Sequence, residues 1–544
     1  MAPSRNKTAG RVLKTPTVSF DSEQESTSQE AVPQPALPFP VVCVGASAGG
    51  LEAFTQLLNA VPTDTGMAFV LVSHLSPSHA SHLAEILSRA TRMPVNEVQD
   101  EPKVQPNRVY VIPPDSSMII AHGSLKLIPR HKVDGRHHPI DLFLESLAHD
   151  QKHKSIAIIL SGTGSDGTLG MDEIKAAGGI TFAQDETAAY EGMPRSAMMA
   201  GTVDFRLAPA EIARELGKIA RHAYVGTDGP PERIVEGAQT TQILRLLNQS
   251  SGVDFTNYKT ATLRRRIARR MALHKVETLP RYAEYLRDHP VEIDALFQDI
   301  LINVTSFFRD PETFELLKTR VFPRIVADHG SADPIRMWVV GCSTGEEAYS
   351  LAIVFSEFME REGRTWPVQI FATDLNGTAI ERARSGLYPK SIAERVAPER
   401  LRRYFYELDG KFRVAKAIRD LCVFAKHNVL EDPPFSRMDV ISCRNVLIYL
   451  EPVLQQHLMP TVHYALKSAG VLLLGGSEST GASSELFESI DAKHRFYGRK
   501  PTANRLPPPL IEGSRLDRQK QVPPAMAAEA RRGEAAQREA DRRR

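Results

Sequence analysis

Three side chains in the first part of the chain have the types and the spacing of a nucleophilic catalytic triad. Ser47 stands in the glycine-rich stretch "VVCVGASAGG", directly after a run of apolar residues. His74 ends the next apolar run, "MAFVLVSHL", and Asp166 follows a third, in "SIAIILSGTGSDGTLG". A serine becomes a nucleophile when a histidine takes its proton and an acid orients that histidine. Since parallel strands end at one edge of a sheet, we expect the three side chains to meet there.

Each member of this set also has a plainer interpretation. The stretch around Ser47 matches the G-x-S-x-G nucleophile elbow, but a dinucleotide-type glycine turn or a purely structural turn explains it too. His74 alone could be a structural histidine, and its neighbours His79 and His82 are rivals for its role. Asp166 alone could close an Asx turn. The order Ser, His, Asp also departs from α/β-hydrolases, in which the acid precedes the histidine. Taken together, the three strand ends favour a triad.

A different pattern in the second part of the chain predicts a cofactor site. The segment "RMWVVGCSTGEEAYSLAIVF" has the order strand, glycine turn, helix, which lets a ligand approach the backbone and the helix N-terminus. Glu346 and Glu347 in the first turn would repel a phosphate, so they favour a cationic ligand such as S-adenosylmethionine. Asp374 ends the next strand, where an acid can accept hydrogen bonds from ribose hydroxyls. Each acid alone could be a solvated surface residue, whereas the paired spacing indicates a cofactor.

Both sites need a parallel sheet with crossover helices, and the chain has the length for two such domains. With 544 residues, two or three domains are expected. The expected fold class is α/β, with two doubly wound, Rossmann-like parallel sheets. Composition and patterning predict a disordered lead-in over 1–38, a first α/β domain over 39–224, a linker over 225–236, a helical subdomain over 237–310, a second α/β domain over 311–500, and a Pro-rich, then Arg/Ala/Glu-rich tail over 501–544. The tail could make coiled-coil contacts.

Composition excludes several classes of protein. The chain has 67 basic and 65 acidic residues, a net charge of +2, which gives no global case for a nucleic-acid binder. Its four cysteines lie far apart without zinc spacing, and we expect them to be reduced thiols of a cytoplasmic protein. We find no signal-peptide pattern and no apolar run near the ~20 residues that span a bilayer, so we expect a soluble protein without membrane insertion.

The first α/β region resembles a known family. The stretches "VGASAGGLEAF", "VSHLSPSHASHLAEIL", "VYVIPP", "LSGTGSDGTLG" and "QDETAAYEGMPRSA" are similar to the catalytic domain of the chemotaxis receptor methylesterase, CheB. The resemblance implies hydrolysis of glutamate γ-methyl esters, and deamidation of particular glutamines, on chemoreceptor helices. It also implies the roles of Ser47 as nucleophile, His74 as general base, Asp166 as its orienting partner, backbone N–H groups near Ala48 and Thr163 as oxyanion donors, and Met193 and Pro194 on the substrate side. The receiver domain that usually precedes the esterase is not expected within the short polar lead-in.

The second half, over about 237–500, resembles the chemotaxis receptor methyltransferase, CheR. The matching stretches are "NYKTATLRRRIARRM", "LINVTSFFRDPETFELL", "GCSTGEEAYSLA", "FATDLN", "HNVLEDPPF", "SCRNVLIYL" and "GGSEST". The resemblance implies S-adenosylmethionine as cofactor, methyl-accepting chemoreceptors or related sensory proteins as partners, and a small antiparallel β excursion around 385–420. It implies cofactor contacts from Asn303, Thr305, Arg309, Glu347, Asp374, Asn428, Val429, Arg444 and Asn445, with Arg309 and Tyr449 facing the transferring methyl group.

A cluster of arginines gives one predicted helix a basic face. The residues are Arg264, Arg265, Arg266, Arg269 and Arg270. Such a face is either solvated or docks on the acidic methylation helices of a receptor.

The sequence therefore predicts a bifunctional enzyme that removes and adds methyl groups on glutamates. One alternative is a regulatory scaffold or sensory adaptor with weak catalysis. A minor alternative is a nucleic-acid methyltransferase, because "DPPF" at 432–435 is similar to the D-P-P-Y loop of enzymes that methylate adenine. In those enzymes the loop follows the strand that here reads "MDVISCRN". Here the loop precedes it, so we expect a turn.

Overall fold

The computed structural model describes residues 36–74, 82–130, 137–225, 237–327, 329 and 333–501. The rival His79, most of the predicted lead-in, and nearly all of the predicted linker and tail lie outside these residues. The first domain begins earlier than predicted, because Leu37 is buried and the Ala36 amide donates to the Asp150 carbonyl. Val225 is also buried, so this domain continues into the predicted linker. We refer to 36–225 as the N-terminal domain and to 237–501 as the C-terminal domain.

The N-terminal domain contains a seven-stranded parallel sheet. Its elements are β1 (Val41–Ala46), α1 (Gly50–Ala60), β2 (Ala68–Ser73), α2 (Leu83–Leu87), β3 (Val95–Glu97), β4 (Val109–Val111), β5 (Ser116–Ala121), β6 (Ser124–Pro129), α3 (Pro139–Gln151), β7 (Ser155–Ile159), α4 (Thr168–Ala177), β8 (Ile180–Gln184), α5 (Gly192–Ala200), β9 (Phe205–Leu207) and α6 (Pro209–Ile219). The strand order is β3-β4-β2-β1-β7-β8-β9, and β5 and β6 form a separate antiparallel hairpin. The predicted parallel sheet is confirmed.

The central strand β1 explains why the sequence forms this sheet. All six of its residues are buried. Val42 and Val44 belong to the apolar cluster that also contains residues of α1 and α6, whereas Val41 and Cys43 belong to another cluster with residues of α3. A strand covered by helices on both faces must be apolar at successive positions, as this one is.

The C-terminal domain begins with helices and continues into a second sheet. Its elements are α7 (Ala238–Ser251), α8 (Thr260–His274), α9 (Leu279–Asp288), α10 (Pro290–Ile300), α11 (Pro311–Leu316), α12 (Phe322–Ala327), β10 (Ile335–Val340), α13 (Glu346–Glu362), β11 (Val368–Asp374), α14 (Gly377–Ser385), β12 (Leu387–Pro389), α15 (Pro398–Tyr404), β13 (Phe405–Leu408), β14 (Lys411–Val414), α16 (Lys416–Arg419), β15 (Cys422–Lys426), β16 (Met438–Cys443), α17 (Pro452–Ala465), β17 (Leu466–Leu474), β18 (Phe487–Asp491) and β19 (Phe496–Arg499). None of the helices in the described ranges is long and apolar enough to cross a membrane.

The second sheet has the order β15-β11-β10-β16-β17-β19-β18. Its first five strands are parallel, as predicted, and its edge is an antiparallel pair, because the chain returns through the hairpin β18–β19. Strands β12, β14 and β13 form a small antiparallel sheet inside the stretch predicted for the excursion. We call residues 387–414 the excursion.

The two domains form one compact unit. A single apolar cluster contains Leu216 and Tyr224 of the N-terminal domain together with Ile267 and Met271 of helix α8. The domains therefore share buried apolar surface and are packed against each other.

Helix α8 carries the predicted basic face, and the structure corrects both expectations for it. Arg266 is 1% exposed and Arg269 is 0% exposed. Arg266 donates to two carbonyls in the last turn of α4, while Arg269 donates to the Gly179 carbonyl and pairs with Asp204. Carbonyls at the end of a helix lack partners within it, and the guanidinium groups supply the missing donors. Arg270 pairs within its own domain. Arg266 and Arg269 are thus covered by the N-terminal domain and are neither solvated nor open to a receptor, whereas Arg264, Arg265 and Arg270 stay partly exposed.

Candidate active sites

The three residues predicted as a triad come together at the carboxyl edge of the N-terminal sheet. Strands β1 and β2 run parallel and in register, so Ser47 and His74 follow them side by side. Asp166 lies in the loop after β7, which pairs with the other side of β1. Its Oδ2 atom is 2.9 Å from His74 Nε2. The Ser47 amide donates to the carbonyl of Ser161, which also follows β7, and this bond ties the serine turn to the Asp166 loop.

Asp166 is buried, and helix α3 helps to keep it ionised. The amides of Ile140 and Asp141 at the start of that helix donate to its Oδ2 and Oδ1 atoms at 3.1 and 2.9 Å. Burial alone would raise the pKa of Asp166, but the bonds from His74 and from these amides hold it below its ordinary value. A charged Asp166 can orient the imidazole. The rival His82 lies at the exposed start of α2.

The surroundings of Ser47 are packed on one side. Gly162 lies against it, since a Cβ atom at Gly162 would be 3.1 Å from Ser47 Cβ and 2.2 Å from Met193 Sδ. A side chain at Gly162 would require Met193 to move. Met193 donates its amide to the Gly162 carbonyl, and both Met193 and Pro194 are buried; their expected place on the substrate side stays a prediction. Thr163, next to Gly162, is exposed.

The predicted cofactor residues line one cavity at the carboxyl edge of the C-terminal sheet. Loops that follow the neighbouring strands β11, β10 and β16 meet there, and they bring together residues far apart in the chain. The predicted residues in its lining are Asn303, Thr305, Arg309, Glu347, Asp374, Asn428, Val429, Arg444, Asn445 and Tyr449. Tyr258, Ser343 and His427 also line it. They lie in the quoted stretches "NYKTATLRRRIARRM", "GCSTGEEAYSLA" and "HNVLEDPPF" but were not named as cofactor contacts.

Glu347 and Glu346, predicted together, have different surroundings. Glu347 accepts a hydrogen bond from Ser442 and lies 3.4 Å from Arg444, which also pairs with Asp310. Glu346 instead lines a second cavity, between the two domains. Burial raises the pKa of Glu346 to about 7. Only Glu347 therefore belongs to the predicted cofactor site.

Two further acids fix the backbone around this cavity. Asp374 accepts hydrogen bonds from the amides of Ser343 and Asn376, each at 2.8 Å, which joins the glycine turn to the end of β11. Burial raises the pKa of Asp374. Glu478, in the stretch "GGSEST", accepts the Asn445 amide at 2.8 Å. Asn445 has φ of +59°, and this bond holds it there.

The "DPPF" segment directly follows a turn at 429–431 and is itself a bend followed by irregular backbone, where a turn was expected. The Asn428 amide donates to Asp432 Oδ2 at 2.8 Å, and Phe435 packs against Trp338 and Phe371. The described residues that line the cofactor cavity do not include residues 432–435.

Comparison with known proteins identifies both domains. Residues 42–216 match the CheB methylesterase family, residues 238–301 match the all-alpha domain of CheR methyltransferases, and residues 303–496 match their SAM-binding domain. The chain belongs to the CheB methylesterase and CheR methyltransferase families. The N-terminal domain is its CheB domain, and the C-terminal domain is its CheR domain.

Individual relatives agree with this assignment. An uncharacterized 104.1 kDa protein of Rhodobacter capsulatus is 38% identical over 440 residues, which are 76% of this chain and 46% of that protein. This chain thus spans about half the length of that relative. A chemotaxis protein methyltransferase of Listeria innocua is 33% identical over 43% of this chain and 87% of its own length. The crystal structure of the Thermotoga maritima CheB methylesterase catalytic domain is 30% identical, covers 33% of this chain and 98% of its own, and has a TM-score of 0.32.

S-adenosylmethionine is the cofactor of the CheR domain, and the chemistry of the cavity fits it. The lining combines the carboxylates of Glu347 and Asp374 with the guanidinium groups of Arg309 and Arg444 and with apolar side chains such as Val429. The cofactor carries an ammonium, a carboxylate, ribose hydroxyls and an apolar base, and each of these groups has a complementary side chain in this set.

Proposed function

We propose that this chain hydrolyses glutamate γ-methyl esters with a Ser47–His74–Asp166 triad, and methylates glutamates of chemoreceptors or related sensory proteins from S-adenosylmethionine. The observation that carries the proposal is the presence, in one compact unit, of a serine–histidine–aspartate edge and an acid-lined cavity. The first site suits removal of a methyl group as methanol, and the second suits its addition.

For hydrolysis, Ser47 Oγ attacks the ester carbonyl while His74 takes its proton. Asp166 engages Nε2, so Nδ1 is the ring nitrogen left to receive that proton. The new C–O bond places a negative charge on the carbonyl oxygen, for which the amides near Ala48 and Thr163 are the proposed donors. His74 then protonates the leaving methoxide, methanol departs, and water releases the glutamate from Ser47 by the same steps.

The same triad accounts for deamidation of glutamines. The amide carbonyl is attacked in the same way, and His74 then protonates the leaving nitrogen, so that ammonia departs in place of methanol. The acyl-serine and its hydrolysis are common to both reactions.

For methyl transfer, the CheR domain needs to align the reactants, because a glutamate carboxylate is already a nucleophile at neutral pH. S-adenosylmethionine supplies the electrophilic methyl group when bound. We assign Asp374 to the ribose hydroxyls and Glu347 to the cationic end of the cofactor. Arg309 and Tyr449 lie in the same cavity and are proposed to hold the attacking carboxylate in line with the methyl group and away from water.

Both activities can be tested on one substrate preparation. Receptor cytoplasmic fragments are incubated with the protein and methyl-labelled S-adenosylmethionine, and the labelled fragments are then freed of cofactor and incubated with fresh protein. We expect label in protein that mild base releases, as for a carboxyl ester, and then release of labelled methanol. Failure of both reactions would contradict the proposal and favour a scaffold. Base-stable label on added RNA or DNA would reassign the CheR domain.

A further inference from the structure

One residue of the CheR domain reaches the triad of the CheB domain. Glu394 lies in a short 3₁₀ turn, Lys390–Glu394, within the excursion. Its side chain is only 8% exposed. Its Oε1 atom accepts a hydrogen bond from Ser165 Oγ at 3.1 Å and lies 3.5 Å from His138 Nδ1. Glu394 therefore contacts the residue directly before Asp166 and the residue directly before helix α3.

These contacts surround the groups that hold Asp166. Ser165 is its chain neighbour, and helix α3, which begins after His138, donates the two amides that fix its carboxylate. Asp141, the source of one of these amides, has a carboxylate oxygen within 4.8 Å of a carboxylate oxygen of Glu394 and of a ring nitrogen of His138. Asp166 in turn fixes His74, so Glu394 lies one step behind the acid that orients the general base.

Burial and neighbouring charge shift the pKa of two acids at this point. Burial, with the charges of Asp166 and Glu394, raises the pKa of Asp141 well above its ordinary range. Burial also raises the pKa of Glu394, although His138 opposes the shift. Both shifts favour the protonated form of these acids and so limit the negative charge next to Asp166.

We propose that Glu394 of the CheR domain is a positioning residue for ester hydrolysis in the CheB domain, which fixes the loop that carries Asp166 through Ser165, His138 and Asp141. Hydrolysis then reaches its full rate only while the excursion is seated on the CheB domain. The inference rests on the proposed triad. It goes beyond that proposal, because ester hydrolysis by the CheB domain then depends on a residue of the CheR domain.

The test compares three variants of the full chain. Glu394→Gln keeps an acceptor for Ser165 and gains an amide donor for Asp141, so we expect kcat for hydrolysis within about twofold of wild type. Glu394→Ala loses both contacts, and we expect kcat to fall on the order of tenfold to a hundredfold with KM little changed, because the residue lies behind Asp166 and not on the substrate side. The matched control is Arg395→Ala, which removes the neighbouring interdomain ion pair with Glu145, 3.6 Å long and half exposed, without touching the Asp166 loop.

The pH profile distinguishes positioning from loss of packing. The titratable groups that face Glu394 are His138, Asp141 and Asp166, with His74 and His137 behind them and the Arg395–Glu145 pair beside them. In wild type, ionisation of Asp141 and Glu394 as the pH rises places more negative charge next to Asp166, so kcat should fall on the alkaline side. Glu394→Gln removes one of these two carboxyl groups and should reduce this fall.

A second readout separates this proposal from the proposed function. Amide hydrogen exchange over residues 163–168 should be faster in Glu394→Ala than in wild type and in Arg395→Ala, whether or not a methyl ester is hydrolysed. Absence of turnover in wild type would contradict the triad alone. Unchanged kcat, pH profile and exchange in Glu394→Ala would overturn the positioning role. Bound metal in the purified protein, with hydrolysis lost on chelation, would overturn it too, because a cation between His138, Asp141 and Glu394 would then hold the cluster together.

Discussion

The two candidate active sites lie at the carboxyl edges of two α/β sheets. They differ in whether the residues around the site all come from the same domain. The described lining of the cofactor cavity comes from the CheR domain alone. In the CheB domain, the edge that carries the proposed triad is contacted by Glu394 from the other domain. The described lining of the cofactor cavity is thus built within one domain, whereas the groups around Asp166 include one from the neighbouring domain. A substitution in the CheR domain can therefore change ester hydrolysis, whereas a substitution at the CheB site should leave methyl transfer unchanged.

The largest effect is expected from Ser47→Ala. Removal of a triad nucleophile lowers kcat by several orders of magnitude, on the order of 10⁶-fold in a well-studied protease. Methyl transfer should keep its wild-type rate, because the described lining of the cofactor cavity contains no residue of the CheB domain. Methanol release from methylated receptor fragments measures the first activity, and incorporation of labelled methyl groups measures the second. Methanol release at the wild-type rate would contradict the assignment of Ser47.

The next largest effect, on the free energy of unfolding, is expected from a substitution at the contact between the domains. Arg269→Ala removes a donor from the Gly179 carbonyl, leaves Asp299 buried without its cation and leaves Asp204 with only Lys175, 3.7 Å away. Loss of one partner from a buried ion pair costs about 3–5 kcal/mol, so the free energy of unfolding should fall by that amount. Chemical denaturation followed by the fluorescence of the CheR domain, which contains Trp338, measures it. Limited proteolysis then reports on the interface itself. Arg270→Ala is the control for it, since Arg270 pairs with Glu292 inside the CheR domain and its loss should leave the interface protected from proteolysis.

This interface also shows where the sequence was informative and where it was not. Ser47, His74 and Asp166 each follow a recognisable apolar strand, so parallel topology alone predicts that they meet. Glu347 and Asp374 were predicted from turns at strand ends, which are local patterns, and the other cofactor residues from the resemblance to CheR. Arg266 and Arg269 were misassigned, because charged side chains on a helix are usually solvated and their partners lie about 90 residues away in the chain. Glu394 gave no signal, since its role arises from contact with another domain.

A smaller effect is expected from Asp374→Ala. Loss of hydrogen bonds to the ribose hydroxyls should weaken binding of S-adenosylmethionine by about 1–3 kcal/mol, which is roughly fivefold to 150-fold in Kd. Calorimetry on the full chain measures this. Ester hydrolysis should not change, because Asp374 lies in the CheR cavity. Asp374→Asn keeps one acceptor and should give an intermediate Kd. Unchanged affinity in the alanine variant would mean that the end of β11 does not bind the cofactor.

The smallest effect is expected on thermal stability as the pH changes, through two acids in the cavity between the domains. Asp172 of the CheB domain and Glu346 of the CheR domain both line this cavity, and burial raises the pKa of each to about 7. The folded protein thus holds these protons more tightly than the unfolded chain, whose ordinary values are 3.8 and 4.5.

The direction of the pH dependence follows from this difference in pKa between the folded and the unfolded chain. The contribution of these groups to stability is complete below about pH 4, declines as the pH rises, and is lost once the pH passes about 7. The positive charges of Lys175, Arg266 and Arg382 face the same cavity and offset the new negative charges, while Glu173 and Asp299 nearby add to them. We therefore expect the thermal midpoint to fall by only a few degrees from pH 6 to pH 8. The double variant Asp172→Asn/Glu346→Gln should lose most of this dependence, and an equal fall in that variant would show that other groups titrate instead.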